Sequence, residues 1–231
     1  MMTAKRLTPL IERLPRVRGE LEAGAAIARF TWFKVGGPAE ALFQPADAED
    51  LAAFLAEKPA DVPVTVLGVA SNVIVRDGGL EGVVVRLGSG FSDINVQGNE
   101  ITAGAGAADI TVARTARDAG LSGLEFLSGI PGAIGGALRM NAGAYGREIK
   151  DVVIDADILD ATGNRHRLGL PELGLGYRRS IVPEDWIFTA ARFRGVAGDK
   201  DEIAGRMEEI RAEREKTQPI KTPTGGSTFR N

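Results

Sequence analysis

The chain has no cysteine and only one histidine, His166, among its 231 residues. Without cysteine there is no disulfide framework and no thiolate chemistry, and such a chain is typical of a reducing compartment, so we expect a cytoplasmic protein. One histidine cannot by itself build a histidine-based site, and we expect no bound metal. No apolar run approaches the length of a membrane span. The N-terminus alternates charge with leucine, which is unlike a signal peptide.

An excess of positive charge is also lacking. The formal net charge is −3, aromatic residues make up 6% of the chain, and no basic stripe with interleaved aromatics is present. The sequence therefore gives no electrostatic case for nucleic-acid binding. A hydrophobic content of 44% and the length of 231 residues predict a globular protein with one large or two small domains and a packed core.

The apolar pattern predicts more strands and hairpins than helices, which indicates an α+β fold. The expected helices are a short amphipathic one over residues 7–14, then 47–57 with Asp47 as N-cap, 109–119 ended by Gly120, and a connector at 199–216. The expected strands are 41–44, 64–67, 83–87 and 186–193, with hairpins at 94–103 and 152–168. The connector helix has a narrow apolar stripe, formed by Ile203, Met207 and Ile210, which is typical of a helix lying on a surface.

Glycine is concentrated in residues 123–149, which read GLEFLSGIPGAIGGALRMNAGAYGREI. Such a run packs poorly in a core, but its backbone can lie against a large ligand and point N–H groups at phosphate. A second turn, LGVASN at 67–72, follows a strand directly and suits pyrophosphate in the same way. Purely structural loops are the alternative for both segments. A Rossmann fold is disfavoured because the sequence has neither a strand–GxGxxG–helix unit nor an acidic residue at the expected distance after one.

Two polar segments complete the candidate site. In GYRRS, at 176–180, an arginine beside a tyrosine suits binding of a carboxylate, although a surface pair of arginines is the commoner outcome. In GGSTF, at 225–229, two glycines allow the serine hydroxyl to approach a ligand closely. With His166 as the sole histidine, a Ser-His-Asp hydrolase is disfavoured. Ser227 is therefore expected to donate a hydrogen bond or a proton.

In order and spacing, five blocks resemble the MurB family, the UDP-N-acetylenolpyruvoylglucosamine reductases of bacterial peptidoglycan synthesis. The blocks are residues 31–40, 67–87, 123–149, 176–180 and 225–231. The resemblance implies an FAD-binding domain of the vanillyl-alcohol-oxidase (PCMH) type in two subdomains, followed by the start of a C-terminal α+β substrate domain. The implied organisation is an N-terminal extension at 1–24, the FAD-binding domain at 25–198 with subdomains of about 25–88 and 89–198, and a connector helix with a truncated substrate domain at 199–231.

The resemblance also implies the residues that surround FAD. They are Gly68, Val69, Ala70, Ser71, Asn72, Ser128, Gly129, Ile130, Pro131, Gly132, Gly135, Gly136, Asn141, Gly143 and Ala144. It implies that NADPH reduces the flavin, which then passes a hydride to the enolpyruvyl β-carbon of UDP-N-acetylglucosamine enolpyruvate to give UDP-N-acetylmuramate. The implied enzyme is a monomer.

Catalytic roles follow from the same resemblance. Arg178 matches the arginine that stabilises the negative charge left by hydride addition, and Ser227 matches the general-acid serine. Tyr177 matches a residue on the substrate side, where Arg178 also lies. Lys216 matches a lysine on the substrate or the nicotinamide side.

Two departures from the family stand out. Ala70 occupies a position where glycine is common, and alanine is unstrained there only if its φ is negative. The family continues for several tens of residues beyond GGSTF and carries a catalytic glutamate there, so we expect a chain shortened at its C-terminus. An FAD-binding fragment without catalysis, or another oxidoreductase on the same fold, are the alternatives.

Overall fold

The computed structural model describes residues 8–218, which form two principal sheets, two small two-stranded sheets and six α-helices. The strands are β1 Glu20–Ala26, β2 Pro38–Gln44, β3 Val64–Leu67, β4 Leu80–Arg86, β5 Ile94–Gln97, β6 Glu100–Gly104, β7 Leu121–Ser122, β8 Gly143–Ala144, β9 Arg147–Glu148, β10 Val153–Leu159, β11 Arg165–Gly169, β12 Ile187–Arg194 and β13 Val196–Ala197. The helices are α1 Leu10–Arg13, α2 Ala48–Glu57, α3 Asp109–Asp118, α4 Ile134–Arg139, α5 Leu170–Leu173 and α6 Lys200–Thr217.

The first sheet has four strands in the order β1-β2-β4-β3. β1 is antiparallel to β2, while β2 and β3 both run parallel to β4. The central strand β4 is buried over Val83, Val84 and Val85, as expected for a strand covered on both faces. Helix α2 connects β2 to β3, and the Asp47 carboxylate accepts the Asp50 N–H at 2.9 Å, which confirms the predicted cap.

The second sheet has five antiparallel strands in the order β11-β10-β12-β6-β5. Both predicted hairpins are confirmed, β5–β6 and β10–β11. Their turns contain Gly98 at φ 59° and Gly163 at φ 84°, a backbone region in which glycine is free of Cβ strain.

One continuous apolar core joins the two sheets, since it includes Phe43 and Val85 of the first and Ile101 and Phe193 of the second. Helix α6 lies across a short 3₁₀ turn, Glu125–Gly129, and buries only Ile203 and Met207. The narrow stripe predicted for the connector helix is thus confirmed. None of the helices in the described part of the chain has the length and apolarity needed to cross a bilayer.

Three local features differ from the sequence-based expectation. The N-terminal helix is a single turn, Leu10–Arg13. Strand β1 begins at Glu20 and pairs with β2, so it crosses the boundary suggested between residues 24 and 25. The glycine-rich run contains helix α4, which was not among the expected helices. The GGSTF segment lies outside the described residues.

Candidate active site

The glycines of the 123–149 run serve two different purposes. A Cβ added to Gly129 would stand 2.5 Å from Tyr145 Cε2, and one added to Gly132 would stand 2.7 Å from Asp109 Oδ2. At Gly135 and Gly143 the nearest atoms would be Ala105 Cβ at 3.1 Å and Glu148 Cγ at 2.7 Å. A side chain at Gly129, Gly132 or Gly143 would therefore force neighbouring atoms to move, and one at Gly135 would be tightly packed. Packing within the chain itself favours glycine at these positions, which the composition of the run did not reveal.

Gly68 and Gly136 have no such requirement. An added Cβ would meet no atom within 4 Å at either position, and neither glycine has a positive φ. Nothing in the described part of the chain demands glycine there, but a ligand lying directly on the backbone would. Gly68 lies in the 67–72 turn and Gly136 lies in helix α4 of the glycine-rich run. These are the two segments expected to bind FAD, so the residues present fit that cofactor.

The 68–72 turn is fixed by the segment before β2. The Trp32 N–H donates to the Ala70 carbonyl at 3.2 Å, and Thr31, fully buried, closes its own turn by donating from Oγ1 to the Val35 carbonyl at 2.9 Å. Ala70 has φ 49°, which is the strained case anticipated for this position. The strain lies in a turn that is otherwise open at Gly68.

Replacing Ala70 by glycine should relieve this strain. The matched control is Ala161→Gly, in a turn where φ is not positive. Both changes add a similar entropy cost through the unfolded chain, but only Ala70→Gly removes a left-handed Cβ. The free energies of unfolding of the two variants should therefore differ by about 1 kcal/mol in favour of Ala70→Gly. Equal values in denaturant titrations would contradict the strain.

A buried carboxyl group lies beneath the glycine-rich run. Asp109, the first residue of α3, is fully buried, and neither carboxyl oxygen has a hydrogen-bond partner within residues 8–218. Its backbone N–H donates to the Gly132 carbonyl at 3.1 Å. Burial raises the pKa of Asp109 to about 8, so the carboxyl is neutral at neutral pH. No sequence motif marked this residue.

The arginine turn packs against the end of the glycine-rich run. Gly176 and Arg179 exchange backbone hydrogen bonds at 3.0 and 3.2 Å, which places Tyr177 and Arg178 at the tip. Arg178 has φ 53°, its Nη2 donates to the Gly143 carbonyl at 3.1 Å, and its guanidinium lies 5.2 Å from the centre of the Tyr177 ring. The predicted substrate residues Tyr177 and Arg178 thus lie beside the predicted cofactor residue Gly143.

Asn141 and Glu148 connect these two segments. Asn141 Nδ2 donates to Glu148 Oε2 at 3.1 Å and to the Gly176 carbonyl at 3.0 Å, and Asn141 Oδ1 accepts the Lys150 N–H at 3.0 Å. Lys150 Nζ lies 2.5 Å from Glu148 Oε2. Lys150, then Asn141, hold the pKa of Glu148 below its usual value, and the charge of Arg178 adds to this effect.

Arg139, at the end of α4, holds the chain that follows the arginine turn. Its guanidinium donates to the carbonyls of Val182, Pro183 and Trp186 and lies 5.0 Å from the centre of the Phe188 ring. Burial lowers the pKa of Arg139. Neither Arg139 nor Glu148 was identified from the sequence, because both act on segments distant along the chain.

Lys216 lies near the end of α6, at a cavity of about 610 Å³ that Tyr145, Arg147 and Arg206 also line. Its side chain is 74% exposed, and its Nζ is 3.9 Å from Glu213, a separation too long for a strong pair in water. Tyr145 and Ile210 connect this cavity to the glycine-rich run, since both approach Gly129. Ser227 lies outside the described residues.

The two sheets and the open backbone at Gly68 and Gly136 indicate the class of the protein. Residues 39–169 match the family model described as an FAD binding domain. The chain resembles 6-hydroxy-D-nicotine oxidase from Arthrobacter nicotinovorans in fold, with a TM-score of 0.62 at 19% identity over 79% of this chain and 43% of the other. It is therefore a flavoprotein with an FAD-binding domain of the PCMH type, which confirms the expected α+β fold.

Closer relatives give the family. The UDP-N-acetylenolpyruvoylglucosamine reductase of Azorhizobium caulinodans is 60% identical over 96% of this chain and 72% of its own length. That of Parvibaculum lavamentivorans is 57% identical over 100% of this chain and 74% of its own length. The crystal structure of the MurB enzyme of Thermus caldophilus matches with a TM-score of 0.80 at 35% identity, over 94% of this chain and 76% of that one. The chain belongs to the UDP-N-acetylenolpyruvoylglucosamine reductase (MurB) family, an oxidoreductase family.

Proposed function

We propose that the protein reduces the enolpyruvyl group of UDP-N-acetylglucosamine enolpyruvate to UDP-N-acetylmuramate, with NADPH as hydride donor, in peptidoglycan precursor synthesis in the cytoplasm. The observation that carries the proposal is the bond from Arg178 to the Gly143 carbonyl at 3.1 Å. It places a cation suited to a carboxylate against the run that we propose for FAD. The region from β1 to β13, which contains the two principal sheets, would form the FAD-binding unit, and α6 would lead to the substrate domain.

FAD, when bound, would supply the two-electron redox chemistry that links NADPH to the enolpyruvyl group. The open backbone at Gly68 and Gly136 would hold the cofactor's pyrophosphate, together with the other cofactor residues named from the sequence. A side chain at either glycine would occupy the space that the ligand needs.

Arg178 would face the negative charge that develops on the α-carbon and its carboxylate as the hydride arrives. A preoriented cation stabilises that charge more in the transition state than in the ground state, which raises the rate. Ser227 would then donate its proton to the α-carbon, a strong base for which even a hydroxyl is an adequate acid. Tyr177 and Lys216 would contact the UDP-sugar.

The proposal is tested by two measurements on the FAD-loaded protein without oxygen. NADPH alone should bleach the flavin absorbance, and the UDP-enolpyruvyl sugar should then restore it with formation of UDP-N-acetylmuramate in equal amount. Flavin that binds but responds to neither compound would indicate a binding module. Rapid oxygen consumption with an alcohol or another sugar, and none of the expected product, would indicate a different oxidoreductase.

A further inference from the structure

We propose that Asn141 is a positioning residue for Arg178, through which the glycine-rich cofactor run fixes the arginine turn. The inference rests on the proposed function, because it assigns Asn141 to the reduction of the sugar. The resemblance placed Asn141 among the residues around FAD. Its contacts within the chain support a role on the substrate side instead.

The Asn141 side chain has no donor left for a cofactor. A primary amide carries two N–H donors, and those of Asn141 go to the Gly176 carbonyl and the Glu148 carboxylate. Its oxygen accepts the Lys150 N–H, and the whole residue is 0% exposed. A ligand lying on the outside of the run therefore does not reach this amide.

The amide is itself held firmly by the run. Asn141 follows α4, and its N–H donates to the Leu138 carbonyl at 3.1 Å. Its φ of 38° lies in the left-handed region, which asparagine tolerates better than most residues. The next residue, Ala142, donates its N–H to the Ala137 carbonyl of α4 at 2.8 Å and accepts the N–H of Ile149, the residue after β9, at 3.0 Å.

The Asn141 amide is one of the attachments of the arginine turn to the rest of the chain. The base of the turn is held at the Gly176 carbonyl by Asn141, and its tip is held at the Gly143 carbonyl by Arg178. Glu148 and Arg178 lie on the same side of Gly143. A Cβ added to Gly143 would be 2.7 Å from Glu148 Cγ and 3.4 Å from Arg178 Nη1. Loss of the amide would free the base of an exposed turn and let the guanidinium move away from the reacting carboxylate.

The test is Asn141→Gly, which removes the amide and keeps a residue that tolerates the positive φ. The sugar-dependent reoxidation of the flavin should slow by roughly 10- to 100-fold, as expected for a misplaced catalytic group. Reduction of the flavin by NADPH and the dissociation constant for FAD should change by less than about threefold, because the amide contributes to neither. Asn164→Gly is the matched control, since the Asn164 amide also donates twice but lies in the β10–β11 turn. It should leave all three quantities unchanged.

A double substitution distinguishes positioning from a general loss of structure. If Asn141 acts through Arg178, then Asn141→Gly should add less than about twofold to the defect of Arg178→Met, because interacting residues give non-additive effects. Multiplicative defects would overturn the proposal. So would FAD affinity that falls tenfold or more in Asn141→Gly while the reoxidation rate per bound flavin is unchanged. Wild-type protein that does not turn over the sugar would overturn the proposed function and this inference with it, whereas wild-type turnover matched by Asn141→Gly would overturn the inference alone.

Discussion

Arg178→Met should reduce the rate at which the UDP-sugar reoxidises the flavin by about 100- to 1,000-fold, the loss expected when one preoriented donor to a developing anion is removed. Methionine keeps the length and apolar body of the side chain but removes its charge. Reduction of the flavin by NADPH should continue at close to the wild-type rate, because no carboxylate charge develops in that half of the reaction. Rapid mixing of each substrate with the enzyme measures the two halves separately.

The adjacent Arg179→Met is the matched control. Arg179 belongs to the same turn and is exposed, but within residues 8–218 its side chain makes no hydrogen bond or ion pair, and its backbone pairing with Gly176 survives the substitution. The rate with the sugar should stay within about threefold of wild type, since surface charges contribute little. If both variants lose activity equally, the rate depends on the total charge of the turn, and the specific role assigned to Arg178 is wrong. Arg178→Lys should fall between them, because an ammonium keeps the charge but not the planar fork of donors.

Much of the fold could be predicted because its signals are local. Helix α2 was found from Asp47, whose carboxylate accepts an N–H three residues later. The two hairpins were found from turns that contain Gly98 and Gly163, where the backbone needs a positive φ. Such features require only a few neighbouring residues and survive in any context.

Elements that depend on distant partners were missed. Strand β1 reads ELEAGAA, without the β-branched residues that favour strands, and it exists because six residue pairs join it to β2. Helix α4 contains Gly135 and Gly136, which cost about 1 kcal/mol each relative to alanine. Its buried Ile134 and Leu138, and the close approach of Gly135 to Ala105, offset that cost.

In the candidate site, too, local signals could be predicted and contacts between distant residues could not. Motifs named the glycines, Tyr177 and Arg178, because their residue types and spacing carry the chemistry. They did not show that Gly132 is required by a carboxyl group beneath it, nor that the Asn141 amide is fully used within the chain. Both facts depend on which side chains meet in space. The glycine-rich run therefore serves partly for packing and, as we propose, partly as a ligand surface, with Gly136 on the open side.

The free energy of unfolding of Asp109→Asn should rise relative to that of wild type as the pH increases. In the unfolded chain an aspartate has a pKa of about 3.9, whereas in the folded protein burial raises the pKa of Asp109 to about 8. Below pH 4 the carboxyl group is protonated in both states, so its ionisation does not affect stability. Between pH 4 and 8 only the unfolded state loses the proton, so the stability contributed by Asp109 falls by about 1.4 kcal/mol per pH unit. The helix dipole at the start of α3 favours the ionised carboxylate and offsets part of this fall in stability.

The difference in unfolding free energy between Asp109→Asn and wild type should therefore grow by about 3–4 kcal/mol from pH 5 to pH 8. Any cost of burying the asparagine amide is the same at both pH values and cancels from this comparison. Denaturant titrations of the FAD-loaded proteins at several pH values measure it, with Asp118→Asn, at the exposed end of the same helix, as the control whose difference from wild type should stay flat. A flat difference for Asp109→Asn as well would mean that the carboxyl is ionised and partnered in the folded protein. Because Asp109 lies against Gly132, ionisation above pH 8 should also loosen the run that we propose for FAD, so the affinity of the wild-type protein for FAD should weaken there and that of Asp109→Asn should not.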